Sequence, residues 1–218
     1  HLLPPGIDRD RVAPSHHAGL RAATRAALNT GDDHCLLLAL GSDFGRKGVD
    51  RCIAALGEIA RTSRLNARLL VAGAGDPRRF RCQAQALGVA DRVAFLGARD
   101  DVPALLQAAD ILVHPAYEES AGNVLIEAML AGLPVVATDV CGYAHYVTDA
   151  AMGRIMPSPF RADALVQAIT EVIAVPREHW RAHGRRFAAD STLYARPQVA
   201  VDIIEAMAAR RHGEGAGK

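Results

Sequence analysis

Six short apolar runs, spaced by longer segments of helical periodicity, constrain this chain more than any other feature. The runs at 35–40, 68–72, 93–96, 111–114, 134–138 and, more weakly, 154–156 are near-continuous in hydrophobic residues. Strands covered by helices on both faces read this way, whereas a strand with one wet face alternates apolar and polar side chains. The segments between them, 49–61, 78–87, 102–108 and 124–131, are rich in Ala and Leu and repeat their apolar residues at helical spacing, as covering helices do. The fold class that follows is α/β, a Rossmann-like parallel sheet with helices on both faces. An opening helix is expected at 14–29, three closing helices at 162–174, 178–188 and 198–210, and a frayed, Gly-rich tail from 212 onward.

At 218 residues one domain with tails is the economical organisation: a lead-in at 1–15, the Rossmann-like domain at 16–175, closing helices at 176–210 and a flexible tail at 211–218. Lys and Arg total 25 against 24 Asp and Glu, a net charge of +1. A dedicated nucleic-acid binder shows a strong basic excess, so no nucleic-acid partner is expected and any bound phosphate must be held by local charge. Cys35, Cys52, Cys82 and Cys141 form no CxxC pair and have no His at zinc spacing. Neither a disulfide framework nor a metal site is suggested, and a reducing cytoplasm fits best. No apolar run approaches the roughly 20 residues that span a bilayer, and the start has no signal-peptide layout. The chain opens without Met on His1-Leu-Leu-Pro-Pro-Gly, like a linker entering a domain, and is expected to be part of a longer protein.

In open α/β sheets, ligands bind in the crevice beyond the carboxyl ends of the strands. The loop after the first run, Gly41-Ser-Asp-Phe-Gly-Arg46-Lys47-Gly48, sets two cations at a helix start. Glycines let a ligand approach the backbone, helix N–H groups favour anions, and the cations offset a diphosphate without metal. The order of a Walker loop is absent. The second element is Pro115-Ala-Tyr-Glu118-Glu119-Ser-Ala121-Gly122-Asn123-Val124, running on to Glu127. With a helix starting near Ala121, Glu127 lies roughly 12 Å beyond Glu119 at 1.5 Å per residue. Two carboxylates so spaced suit the hydroxyls of two sugars on either side of phosphates held by the N–H groups of Gly122, Asn123 and Val124. A plainer alternative stands beside this: Arg46 and Lys47 as solvated loop cations, Glu119 as a helix N-terminal acid and Glu127 as an exposed helix charge.

Other segments point less clearly to chemistry. Asp8-Arg-Asp10 has the form of a metal-binding DxD but lies in the lead-in rather than after a central strand. Val71-Ala-Gly73-Ala-Gly75-Asp76 lacks the third Gly of a dinucleotide loop and reads as turn chemistry. His16, His17, His114 and His145 have no ligand spacing; a packed or hydrogen-bonded histidine is the ordinary account, with His114 and His145 candidates to line the site. Trp180, Phe187 and Tyr194 read as packing anchors.

Glu119 and Glu127 enclose seven residues, and the Glu-x7-Glu element so formed resembles that of the family-four retaining glycosyltransferases, which have two Rossmann-like domains. Lys47-Gly48, Ala131-Gly132-Leu133-Pro134-Val135-Val136 and Pro4-Pro5-Gly6-Ile7 are similar to further segments of that family. Residues 41–50, His114-Pro-Ala-Tyr117 and Cys141-Gly-Tyr-Ala-His-Tyr146 look like its lipopolysaccharide-core subgroup, which adds the first glucose to the inner-core heptose.

The resemblance implies that this chain is the C-terminal, donor-binding half of such an enzyme, a UDP-sugar-dependent hexosyltransferase of the GT-B fold. Residues 16–175 would form the nucleotide-sugar-binding domain. Lys47 and Glu119 would act on the reaction itself. Arg46, Lys47 and Arg11 would meet the donor diphosphate, the backbone of Ala121, Gly122, Asn123 and Val124 would cap it, Glu127 would hold the ribose, Glu119 would face the hexose or phosphate side, and Arg99 would lie near the uracil. Many members carry Arg where this chain has Ser42, so Arg46 or Arg11 would supply that charge. The donor would be UDP-glucose or another UDP-hexose, no cofactor or metal is expected, and the acceptor would be the lipopolysaccharide inner core. The parent enzyme would be peripheral on the cytoplasmic face of the inner membrane. An N-terminal acceptor domain would be needed for transfer. Alternatives are a same-family transferase with another hexose and acceptor, a non-catalytic nucleotide-binding module and, more distantly, a dinucleotide oxidoreductase.

Overall fold

A computed structural model of the chain describes residues 6–7, 19–189, 193 and 196–215. The six expected runs are all strands: β1 (Cys35–Leu40), β2 (Ala67–Ala72), β3 (Val93–Gly97), β4 (Ile111–His114), β5 (Val135–Thr138) and β6 (Gly153–Met156). They form one parallel sheet in the order β3-β2-β1-β4-β5-β6. Around it lie α1 (Leu20–Ala27), α2 (Val49–Thr62), α3 (Arg78–Ala86), α4 (Val102–Ala108), α5 (Asn123–Leu130), α6 (Ala144–Asp149), α7 (Ala162–Ala174), α8 (Arg177–Ala188) and α9 (Arg196–Gly215).

The continuous hydrophobicity of β1 has a direct structural cause. Cys35, Leu37 and Ala39 belong to one core cluster, with Ile53, Leu56 and Ile59 of α2 and Leu165, Ile169 and Val172 of α7. Leu36, Leu38 and Leu40 belong to the other, with Leu105 and Leu106 of α4, Leu125 and Met129 of α5 and Val147 of α6. Period-two alternation thus sends successive side chains into opposite cores, each dry. Burying a Leu side chain in this way stabilises the fold by roughly 2 kcal/mol. The edge strand β3 is only half-buried. Trp180 on α8 is buried in the first core, and its indole N–H donates to the Val172 carbonyl at 3.3 Å. Phe187 packs edge-on against Tyr146 at 6.2 Å between ring centroids.

Three arginines fasten α1 and α8 to the C-terminal end of α4. Arg21, Arg25 and Arg177 donate to the carbonyls of Gln107, Ala108 and Ala109. They surround the carboxylate of Asp110 at 2.6, 3.3 and 3.5 Å, and Asp110 also accepts the Leu36 amide at 2.8 Å. Helix C-terminal carbonyls carry partial negative charge, so cations in excess of one carboxylate are stable there.

Three expectations about elements need correction. Helix α6 lies where none was expected, since its six residues are too short to declare a period. The tail expected at 211–218 is helical through Gly215 in α9, because the Ala and Arg residues before it favour helix and cations suit a helix C-terminus. Helix α1 begins only at Leu20, after Gly19 in the left-handed region (φ 101°); the part expected at 14–18 lies outside the described residues, as do the DxD segment at 8–10, His16, His17 and Tyr194. All four cysteines are free, Cys82 exposed and the others buried. Among the described residues no helix is long and apolar enough to cross a membrane.

Candidate functional site

The strand order reverses between β1 and β4. From β1 the chain winds outward through β2 and β3, then returns to β4 on the other side, so the loops that follow β1 and β4 diverge and leave a crevice at the carboxyl edge. A cleft of about 470 Å³ opens there. Arg46, Lys47, Arg99, Glu119, Ala121, Gly122, Asn123, Val124 and Glu127 all line it, and with them Gly41, Ser42, Gly73 and His114. Arg11 lies outside the described residues. The sequence read Gly73 as turn chemistry and left the role of His114 open; their positions just after β2 and at the end of β4 were the available signal.

Residues 41–48 are folded on themselves. The amides of Lys47, Gly48 and Val49 donate to the carbonyls of Asp43, Gly45 and Phe44 at 2.9, 3.1 and 3.0 Å, and the Arg46 amide donates to the Asp43 carboxylate at 3.0 Å. The amides of Arg46, Lys47, Gly48 and Val49 thus hold the loop's own turn. What it offers a ligand is the side chains of Lys47 and Arg46, the latter also 3.7 Å from the Asp43 carboxylate. Gly48 has φ 73°, and a Cβ there would collide with the Pro115 carbonyl. That close approach brings the two loops together.

The meeting of the loops produces a buried charge cluster. The Lys47 ammonium contacts Oε2 of Glu119, and His114 Nε2 lies 3.3 Å from the same oxygen. Lys47 is 15 % exposed, Glu119 11 % and His114 1 %. The hydrogen bond from His114, opposed by burial and assisted by Lys47, holds the Glu119 carboxyl down at about 2. Glu119 is thus the counter-ion of Lys47 rather than a helix-capping acid.

Further contacts fix the loop that carries Glu119. The Arg51 guanidinium is sandwiched between the Tyr117 and Phe160 rings, 3.6 and 3.8 Å from their centroids, and donates to the carbonyls of Pro115 and Ala116. The Tyr117 hydroxyl donates to Asp50 at 2.6 Å, and the Tyr117 amide to the Arg46 carbonyl at 2.9 Å. On the far side, the amides of Gly142 and Tyr143 donate to the carbonyls of Glu119 and Ala121 at 3.3 and 2.8 Å. The Cys141–Tyr146 motif therefore braces the loop; burial pushes the Cys141 thiol up to about 11.

Helix α5 starts at Asn123, one residue before the periodic segment at 124–131 and two after the start supposed in spacing the two carboxylates, because Gly122 adopts φ 90° at its N-cap. Ala121 therefore belongs to the loop, and only Asn123 and Val124 offer first-turn N–H groups, which a helix leaves without internal acceptors. Glu127 is buried at 9 % exposure and lines the cleft, which removes the alternative of a solvated helix charge. Arg99 pairs with Asp101 at 2.5 and 2.7 Å across the cleft's outer wall. Among the described residues no group of three or more His, Cys, Asp or Glu is placed to hold a metal ion.

Two cations, a helix start and a buried carboxylate line one cleft, groups that suit phosphate and hydroxyl ligands. The chain belongs to the group 1 glycosyl transferases, whose family model matches residues 21–187. It is 43% identical over 205 residues to the lipopolysaccharide glucosyltransferase WaaG of Escherichia coli strain K12, covering 93% of this chain and 55% of that one. It is 32% identical to D-inositol 3-phosphate glycosyltransferase 2 of Catenulispora acidiphila, over 96% of this chain and 52% of that protein. The crystal structure of WaaG superposes with a TM-score of 0.87 over 94% of this chain and 56% of that one. Sucrose-phosphate synthase from Thermosynechococcus elongatus gives 0.76 at 29% identity, over 94% and 53%. The chain thus spans about half the length of the relatives it matches.

Proposed function

We propose that this chain is the donor-binding half of a retaining α-glycosyltransferase that uses UDP-glucose or a related UDP-hexose and adds glucose to the inner-core heptose of lipopolysaccharide. The observation that carries the proposal is the convergence of Lys47, Arg46, Glu119, Glu127 and the start of α5 on one switch-point cleft. The 43% identity to a lipopolysaccharide glucosyltransferase supports the choice of sugar and acceptor. Lys47 and Arg46, with the amides of Asn123 and Val124, meet the diphosphate; Ala121 and Gly122 close over it; Glu127 accepts from the ribose hydroxyls; Arg99 flanks the uracil. Glu119 stands at the hexose and phosphate end.

In the reaction, the bond from the anomeric carbon to the β-phosphate oxygen breaks, and negative charge builds on UDP as the sugar becomes oxocarbenium-like. Preorganised cations and N–H groups stabilise that charge, one such donor contributing roughly 3 kcal/mol. The acceptor hydroxyl arrives on the departing face; no side chain of the cleft is assigned as nucleophile, and the charges present suffice without a metal. We place the parent enzyme on the cytoplasmic face of the bacterial inner membrane as a peripheral protein. An N-terminal acceptor domain supplies what this chain needs for transfer.

Calorimetric titration with UDP and UDP-glucose tests this. Losing one charge-assisted hydrogen bond costs roughly 1.5–3 kcal/mol, so Lys47→Ala and Glu127→Ala should each weaken binding about 10- to 100-fold. A folded chain that binds neither ligand, or variants that bind as tightly as the parent, would refute the donor site.

A further inference from the structure

His114 is a buried titratable side chain to which the donor chemistry gives no task. It ends β4 with its Nε2 on Oε2 of Glu119, the same oxygen that accepts from Lys47. An ionised carboxylate only accepts, so Nε2 carries the N–H. One carboxylate therefore faces two potential cations, one of which has a second duty: Lys47 also lines the cleft. Around them stand Glu127 on α5 and Arg46 and Arg99 along the cleft, with Asp139 and Cys141 behind, after β5. The remaining groups that share a small internal void with His114, from β1, β2 and α2, are apolar: Leu40, Val71 and Val49. A nucleotide sugar would bring two negative charges to this cleft, and Lys47, which lines it, is already the partner of Glu119.

Resting on the donor reading above, we propose that nucleotide-sugar binding is coupled to the uptake of one proton by His114. The diphosphate takes over Lys47, and Glu119, deprived of its ammonium, is neutralised by an imidazolium whose proton comes from solvent. Glu119 itself, held at about 2, stays a carboxylate throughout the range in which histidine titrates. Uptake on binding means that affinity rises as pH falls through that range, by up to about tenfold per pH unit for one proton. His114 is then a positioning residue that lets one lysine serve two anions in turn.

The test is calorimetry of the 218-residue chain with UDP-glucose in two buffers of different ionisation enthalpy near neutral pH. The diphosphate of UDP-glucose is a diester that does not titrate there, so any proton exchanged belongs to the protein. The expected result is a heat that depends on the buffer by up to one proton, together with an affinity that weakens from about pH 6 to pH 8. In His114→Gln, which keeps an N–H toward Glu119 but cannot titrate, the buffer dependence should vanish and the pH slope flatten. Should that variant fail to fold, the imidazole resonances of the parent serve instead: the His114 titration midpoint should move up on saturation with UDP-glucose. Binding without buffer dependence, buffer dependence retained in His114→Gln, or an unmoved midpoint overturns the proton coupling alone. No binding by the folded chain overturns the donor reading with it.

Discussion

At the scale of single residues, the cluster around Glu119 decides both chemistry and stability. Its carboxyl is held at about 2, against 4.5 ordinarily. A group whose pKa is lower in the folded than in the unfolded chain contributes stability that is complete above the unfolded value and is lost as pH falls toward the folded one. Urea denaturation of the parent should therefore show stability declining between about pH 5 and pH 2 in part through this group. Glu119→Gln should start less stable at neutral pH, because Lys47 is left buried without its counter-ion, and should approach the parent in acid. Parallel curves for the two proteins would show that the cluster has no such role. Lys47, Glu119 and Glu127 were legible in the sequence as charges in loops or helix starts after strands, at a spacing suited to two sugars about a diphosphate. His114 was legible only as a candidate to line the site, which it does; its contact with Glu119 was not, because nothing in the sequence separates it from a packed core histidine.

At the scale of elements, periodicity exposed all six strands and most helices, because β1, β4 and β5 are buried on both faces and α2, α4 and α7 have clear apolar stripes. It missed α6, and the periodic segment 124–131 lies within a residue of α5 at each end. Nor could it show the arginine clamp, since the partners Arg21 and Asp110 are 89 residues apart. That clamp predicts an outcome of its own. Asp110 is 21 % exposed, pairs with three guanidinium groups and accepts the Leu36 amide at the start of the central strand. Asp110→Asn removes the carboxylate shared by Arg21, Arg25 and Arg177, leaving Asp32 at 3.7 Å from Arg25, and breaking one side of a largely buried ion pair costs about 3 kcal/mol. Urea titration should show that loss, with UDP-glucose affinity little changed because the cluster sits at the opposite end of the strands from the cleft. A cost below about 1 kcal/mol would place the clamp among ordinary surface pairs.

At the scale of the whole molecule, the strand order matters most, and periodicity is silent about it: six buried runs fit many orders, and the structure shows one, β3-β2-β1-β4-β5-β6. The reversal between β1 and β4 gathers onto one edge residues as far apart in sequence as Gly41 and Glu127, so a ligand in the cleft joins both halves of the sheet and should stabilise the fold as a unit. A ligand that binds only the native state adds about 2.7 kcal/mol at one hundred times its Kd. For a chain of this size each kcal/mol raises Tm by roughly 2–4 °C, so UDP-glucose should raise it by about 5–10 °C, and Lys47→Ala should abolish most of that rise. On the proposed donor site, Lys47, Arg46 and the first-turn amides of α5 would match the diphosphate, and the rise should then be the same in excess EDTA as in millimolar magnesium. A shift that appears only with the metal would mean that these charges do not suffice and that the donor arrives as a metal complex.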